Sequence, residues 1–107
     1  IRERRAFARL TAEGQRARAG DLWCTYVLDP PGIATPPRVA FALGRALGPA
    51  VVRNRVRRQL RAILQAASAA GELPPGTYLF GARPTVVSRS STELTFDLHQ
   101  LLRRLRG

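Results

Sequence analysis

The chain of 107 residues and 11.8 kDa amounts to one domain, residues 1–107, long enough to bury roughly 65% of the surface its unfolded form exposes. Eighteen basic residues, every one an arginine, stand against seven acidic ones for a net charge of +11 and a pI near 11.8, while 45% hydrophobic content excludes a disordered basic tail. The single cysteine, Cys24, excludes an internal disulfide and a cysteine-based zinc site, and the longest uncharged candidate span, residues 62–71, is too short to cross a bilayer, so a soluble cationic domain of a reducing compartment is expected.

Taken in chain order, residues 3–13 contain helix formers with Phe7 and Leu10 three apart, and Gly14 offers a stop. A short strand is expected near residues 15–18. Residues 22–28 (LWCTYVL) are rich in aromatic and β-branched side chains and predict a second strand. Four prolines in residues 29–37 make a loop, followed by a strand over residues 38–43. Gly48-Pro49 opens a helix running to about Ser68, since proline is tolerated in a first turn. Its apolar positions Val52, Val56, Leu60, Ile63, Leu64 and Ala67 fall within an arc of about 120°. The same arithmetic assigns Arg53, Arg55, Arg57, Arg58 and Arg61 to the outer surface, with Asn54 among them. Residues 77–82 predict the last strand. Ser90 and Glu93 form a capping box for a final helix with the stripe Leu94, Leu98, Leu101, Leu102 and Leu105, and with Arg103, Arg104 and Arg106 at its C-terminal end. Helix, strands, helix, strand, helix is the order of an α/β sandwich with helices packed on a small sheet.

The distribution of charge is more informative than its sum. From Pro30 to Gly71 there is no acidic residue, yet seven arginines fall there, five of them in the run RNRVRRQLR. Arg53, Arg57 and Arg61 are i,i+4 neighbours of like sign, at a cost of ~0.2–0.5 kcal/mol per pair. A fold tolerates that repulsion more easily when an anion sits against it. The planar guanidinium forks suit phosphate oxygens. Trp23 and Phe41 are expected in the core. For Phe7 and Tyr26 two readings stay open, core or a platform for unpaired bases worth ~1–3 kcal/mol per stacked base.

A stand-alone catalyst is not indicated. The seven acids are scattered rather than clustered for metal ions, the one histidine, His99, lies between leucines on a helix, and Cys24 fits a buried inert thiol. No glycine-rich loop matches a nucleotide fingerprint.

At FALGRALGPAVVRNRVRRQLRAIL, residues 41–64, the sequence resembles the bacterial ribonuclease P protein subunit. The matching pattern is a basic strand end (Arg45), a Gly-x-Ala-Val approach (Gly48, Ala50, Val51) and an Arg-Asn-Arg helix (Arg53, Asn54, Arg55, Arg57, Arg58, Arg61). Ala6, Phe7, Leu10 and Gly14, the YVLDPP strand exit and the Arg-Pro after the last strand extend it along the chain. The resemblance implies an α+β fold in the order α-β-β-β-α-β-α with a left-handed βαβ crossover, against the usual hand. It further implies partnership with the catalytic RNA of ribonuclease P and with precursor tRNA, whose 5′ end the RNA matures. In this reading Phe7 and Tyr26 line a cleft for the single-stranded 5′ leader, and Arg45 and the helix residues meet RNA phosphates. The protein alone is expected to hold no cofactor or metal and no catalytic residue, with Mg2+ in the holoenzyme, and to be monomeric there, cytoplasmic and without a membrane contact. Two positions depart from the family pattern: Thr11 replaces a second aromatic, and Pro49 removes a backbone donor. Because the chain starts at Ile1 without a methionine, a short basic N-terminal piece is expected to precede it. The alternatives are a structural RNA-binding protein of ribosomal type, a DNA-binding module and a self-sufficient nuclease. Arginine at nearly every outward position suits phosphate contact better than base reading.

Overall fold

The computed structural model describes residues 14–30, 32 and 36–106; the expected first helix, with Phe7 and Thr11, lies outside the described residues. Four strands form one sheet: β1 (Gln15–Ala19), β2 (Leu22–Leu28), β3 (Arg38–Ala42) and β4 (Gly76–Ala82), in the spatial order β1-β2-β4-β3. β1 and β2 are an antiparallel hairpin closed by Gly20-Asp21, with Gly20 at φ +57, the left-handed backbone that glycine adopts without strain. β2 pairs antiparallel with β4, and β4 pairs parallel with β3. Helix α1 (Ala50–Ala69) makes the crossover between those two parallel neighbours, and α2 (Ser91–Arg106) follows the sheet. Two 3-10 turns, Arg45–Leu47 and Pro84–Ser88, were not anticipated; Pro84 opens the second and Val86 anchors it in the core.

Strand alternation sorts the sheet into two faces. Leu22, Cys24 and Tyr26 are buried, while Trp23, Thr25 and Val27 between them are half-exposed. The register sets Cys24 beside Phe80 and Tyr26 beside Tyr78, and on the other side of β4 it sets Phe41 beside Phe80 and Val39 beside Tyr78. Three ring pairs result: Tyr26–Tyr78 at 6.4 Å between centroids, Tyr78–Phe80 at 6.0 Å and Phe80–Phe41 at 6.4 Å. Val56, Leu60, Leu64 and Ala67 of α1 join Leu94, Leu98, Leu101, Leu102 and Leu105 of α2 in one core with this face. The stripes read from leucine spacing are therefore the buried ones.

Both helices are bounded by local chemistry. At the end of α1 the Glu72 N–H donates to Ala67 O at 2.8 Å and the Gly71 N–H to Ser68 O at 3.1 Å, with Gly71 at φ +75, a Schellman stop. At the start of α2 the capping box forms as expected: the Ser90 N–H donates to Glu93 Oε1 at 2.8 Å, and the Glu93 N–H to Ser90 Oγ at 3.1 Å. That backbone donor, and then Arg89 nearby, hold the Glu93 carboxyl below its ordinary value. A carboxylate lowered on folding adds stability above its unfolded pKa, and the contribution is lost as pH falls through the folded one. Glu93→Gln keeps the hydrogen-bonding pattern without the charge. It should therefore be less stable than the parent at neutral pH, with the gap in urea midpoint closing as the solution is taken into acid; a gap that stays constant with pH would remove the charge from the explanation.

Candidate nucleic-acid interface

The structure brings the predicted arginines together on and beside α1, with different surroundings for each. Arg58 and Arg61 are exposed on the helix, and Arg45 is exposed in the preceding 3-10 turn. Arg55 is exposed and donates through Nη2 to Val87 O at 3.2 Å, tying α1 to the Pro84–Ser88 turn. Arg57 donates through Nη1 to Asn54 Oδ1 at 2.6 Å, so the asparagine orients a cation. Arg61 lies with its guanidinium carbon 5.9 Å from the centroid of Phe41. Arg55, Arg57 and Arg61 are thus each directed toward a neutral acceptor or ring.

Arg53 departs from the expectation of an outward position. It is half-buried, and its Nε is buried without a hydrogen-bond partner among the described residues. The helical period explains this: seven residues before Leu60, it lies nearly in line with the core stripe. Among the described residues, ion pairs join Arg38 to Asp29 at 4.0 Å, and Arg89 to Asp97 at 2.8 Å and to Glu93 at 3.6 Å; none involves α1. The bond to Asp97 chiefly raises the Arg89 pKa.

A groove of about 280 Å³ opens between β3 and α1, walled by Pro37, Val39, Phe41, Arg61, Leu64 and Gln65 among others. It lies over the same sheet face as Tyr26 and Tyr78. Tyr26 is 8% exposed, stacks on Tyr78 and donates its hydroxyl to Gln15 Oε1 at 3.2 Å. The groove wall was not read from the sequence, although Arg61, Leu64, Gln65 and Ser68 follow one another at helical spacing and the proline-rich loop ends beside them. Phe41 is half-buried against the core, whereas Trp23, expected in the core, is half-exposed on the opposite sheet face. Its odd position in β2 decides that, since the neighbours at 22, 24 and 26 take the buried side.

The sequence matches the family Ribonuclease P over residues 1–106. A ribonuclease P protein component of Streptomyces avermitilis is 36% identical over 114 aligned residues, covering 100% of this chain and 91% of that protein. The component of Nocardioides sp. is 33% identical over 106 residues, covering 98% and 89%. That of Thermobifida fusca is 41% identical over 76 residues, covering 70% of this chain and 50% of the longer relative. The solved RNase P protein of Thermotoga maritima, 22% identical, superposes with a TM-score of 0.81 over 100% of this chain and 97% of its own. The Staphylococcus aureus protein, 17% identical, gives 0.82 over 99% and 94%.

Among the described residues no three His, Cys, Asp or Glu side chains lie together as a metal site. His99 is exposed on α2. Cys24 is fully buried, and that burial pushes its thiol up to about 12. Thiolate is the reactive form. Alkylation of Cys24 at neutral pH should therefore be negligible in the folded protein and become rapid in denaturant; fast labelling of the native chain would contradict its burial.

Proposed function

Because the chain belongs to the ribonuclease P protein family, we propose that it is the protein subunit of a ribonucleoprotein that matures the 5′ ends of precursor tRNAs, with the bond broken by the RNA. The observation that carries this reading is an arginine-studded helix with no carboxylate partner among the described residues, beside a groove over an aromatic sheet face. Arg45, Asn54, Arg55, Arg57, Arg58 and Arg61 contact phosphates of the catalytic RNA and substrate, and the half-buried Arg53 lies beside the core stripe. Asn54 and Val87 O hold two of the guanidinium groups in place, which reduces the ordering needed on binding.

The 5′ leader, as an unpaired strand, lies in the groove between β3 and α1. Arg61 neutralises a leader phosphate while Phe41 offers apolar contact to a base. Tyr26 supports the floor through its stack on Tyr78; Phe7, the other residue expected in the cleft, lies outside the described residues. We assign the Mg2+ of the holoenzyme to its catalytic RNA. The holoenzyme holds one copy of the protein, in the cytoplasm.

Reconstitution with a ribonuclease P RNA at low magnesium tests the reading directly: precursor processing should rise on adding protein, and the protein alone should cleave nothing. Arg58→Ala should weaken RNA binding and lower the salt slope by about 0.7–0.9 for one lost phosphate contact. An unchanged slope would show that Arg58 touches no phosphate. Arg61→Gln should reduce affinity for leader-bearing precursor more than for mature tRNA, and equal losses would move Arg61 out of the leader path.

A further inference from the structure

The face of the sheet turned away from both helices carries its own cationic site at the β1 edge. Arg16 and Arg18 are exposed on β1, and Trp23 is half-exposed beside them; the register pairs Arg18 with Trp23 and Arg16 with Thr25. The indole occupies the space over Gly81, where an added Cβ would lie 2.0 Å from a ring carbon. Above the ring sits Arg16, its guanidinium carbon 5.1 Å from the centroid, with Nε donating to Thr25 Oγ1 at 3.4 Å. Arg104 of α2 donates to Arg18 O, which brings a third guanidinium to the same edge. A concavity of about 380 Å³ is lined by Arg16, Ala17, Arg18 and Trp23, with no carboxylate in its wall among the described residues.

We propose that this edge is a second contact for unpaired RNA, separate from the α1 surface and the groove, in which a base stacks on the Arg16–Trp23 pair while Arg18 and Arg104 take flanking phosphates. The inference rests on the RNA-binding reading above and extends it to the opposite side of the sheet. Core packing does not account for the arrangement, because Trp23 lies outside the core cluster and an exposed cation–π pair is a weak contact. Duplex phosphates would use the arginines but not the ring. An acidic peptide would likewise leave the guanidinium–indole stack without a flat partner. An unpaired nucleotide supplies both a base and a phosphate. The sheet lies between the two sites, so a short strand seated in the groove does not touch Trp23.

Trp23 is the only tryptophan in the chain, so its fluorescence reports on this site. The full chain is titrated with a short, end-labelled oligouridylate, following label anisotropy for any binding and Trp23 emission for binding at this edge. The expected result is a saturable quench, and in Arg16→Gln/Arg18→Gln a midpoint shifted upward at least fivefold and a salt slope lower by about 0.7 per lost contact. Rising anisotropy with unmoved Trp23 emission would overturn the proposal and leave the RNA-binding reading standing. No change in either signal would defeat both. A quench with the same midpoint in the double variant, or an equal quench by a duplex of the same length, would also overturn the stacked site.

Discussion

The two leucine stripes that meet over Phe80 and Tyr78 determine where everything else in this molecule can go. Leu60 and Leu64 of α1 and Leu94, Leu98 and Leu101 of α2 close over the same face of the sheet, and each is at most 4% exposed. With the apolar arcs of both helices so committed, most of the α1 arginines have only the outer surface available. The groove follows from the same packing. α1 rests against β3 through side chains rather than by close backbone approach, and the gap is floored by Phe41 and Val39. Loss of this packing would remove the groove and scatter the cations together, so fold and binding surface are not independent properties here.

Among the described residues, three carboxylates, Asp97, Glu93 and Asp29, pair with local partners and not with the α1 arginines. Asp97 is 5% exposed and meets Arg89 at 2.8 Å; a Cβ on Gly20 would lie 2.5 Å from its Oδ2. That contact locks α2 to the β1–β2 turn, and it requires glycine twice over, for the space and for the positive φ. Glu93 caps α2, and Asp29 pairs with Arg38 across the end of the sheet. A buried carboxylate without its cation would be costly to keep charged, so these acids hold on to local partners, and a positive field remains over α1 to attract a polyanion.

Much of this was legible in the sequence, for identifiable reasons. The strand over residues 22–28, the helix start at Ala50 and the Ser90–Glu93 box follow from short-range rules, alternation, proline placement and side-chain capping, and the structure places each as expected. What depended on neighbours distant in sequence was not legible. Trp23 looks like a core residue by type, and only the pairing of β2 with β4 shows that it sits over Gly81 on the outer face. Arg53 is different: the helical period alone, measured against Leu60, sets it beside the core stripe, so its half-buried position follows from local spacing and the outward expectation does not hold. The groove is made by α1 and β3, whose separation no local pattern encodes. The family resemblance supplied fold order and partner, but not these placements.

The exclusive use of arginine gains a physical reason from the contacts themselves. Lysine offers a compact, strongly hydrated charge, whereas a guanidinium can rest on a ring or donate to a neutral oxygen while keeping its charge. Arg61 over Phe41 and Arg16 over Trp23 show the first behaviour. Arg55 on Val87 O, Arg57 on Asn54 and Arg104 on Arg18 O show the second. In none of these contacts is the positive charge cancelled, yet each side chain has been given a direction. A surface that must meet a flexible, negatively charged polymer gains from cations that are already oriented, because less conformational freedom is then lost on association. Pairing the same side chains with carboxylates would orient them equally well, but it would cancel the field that draws the polymer in.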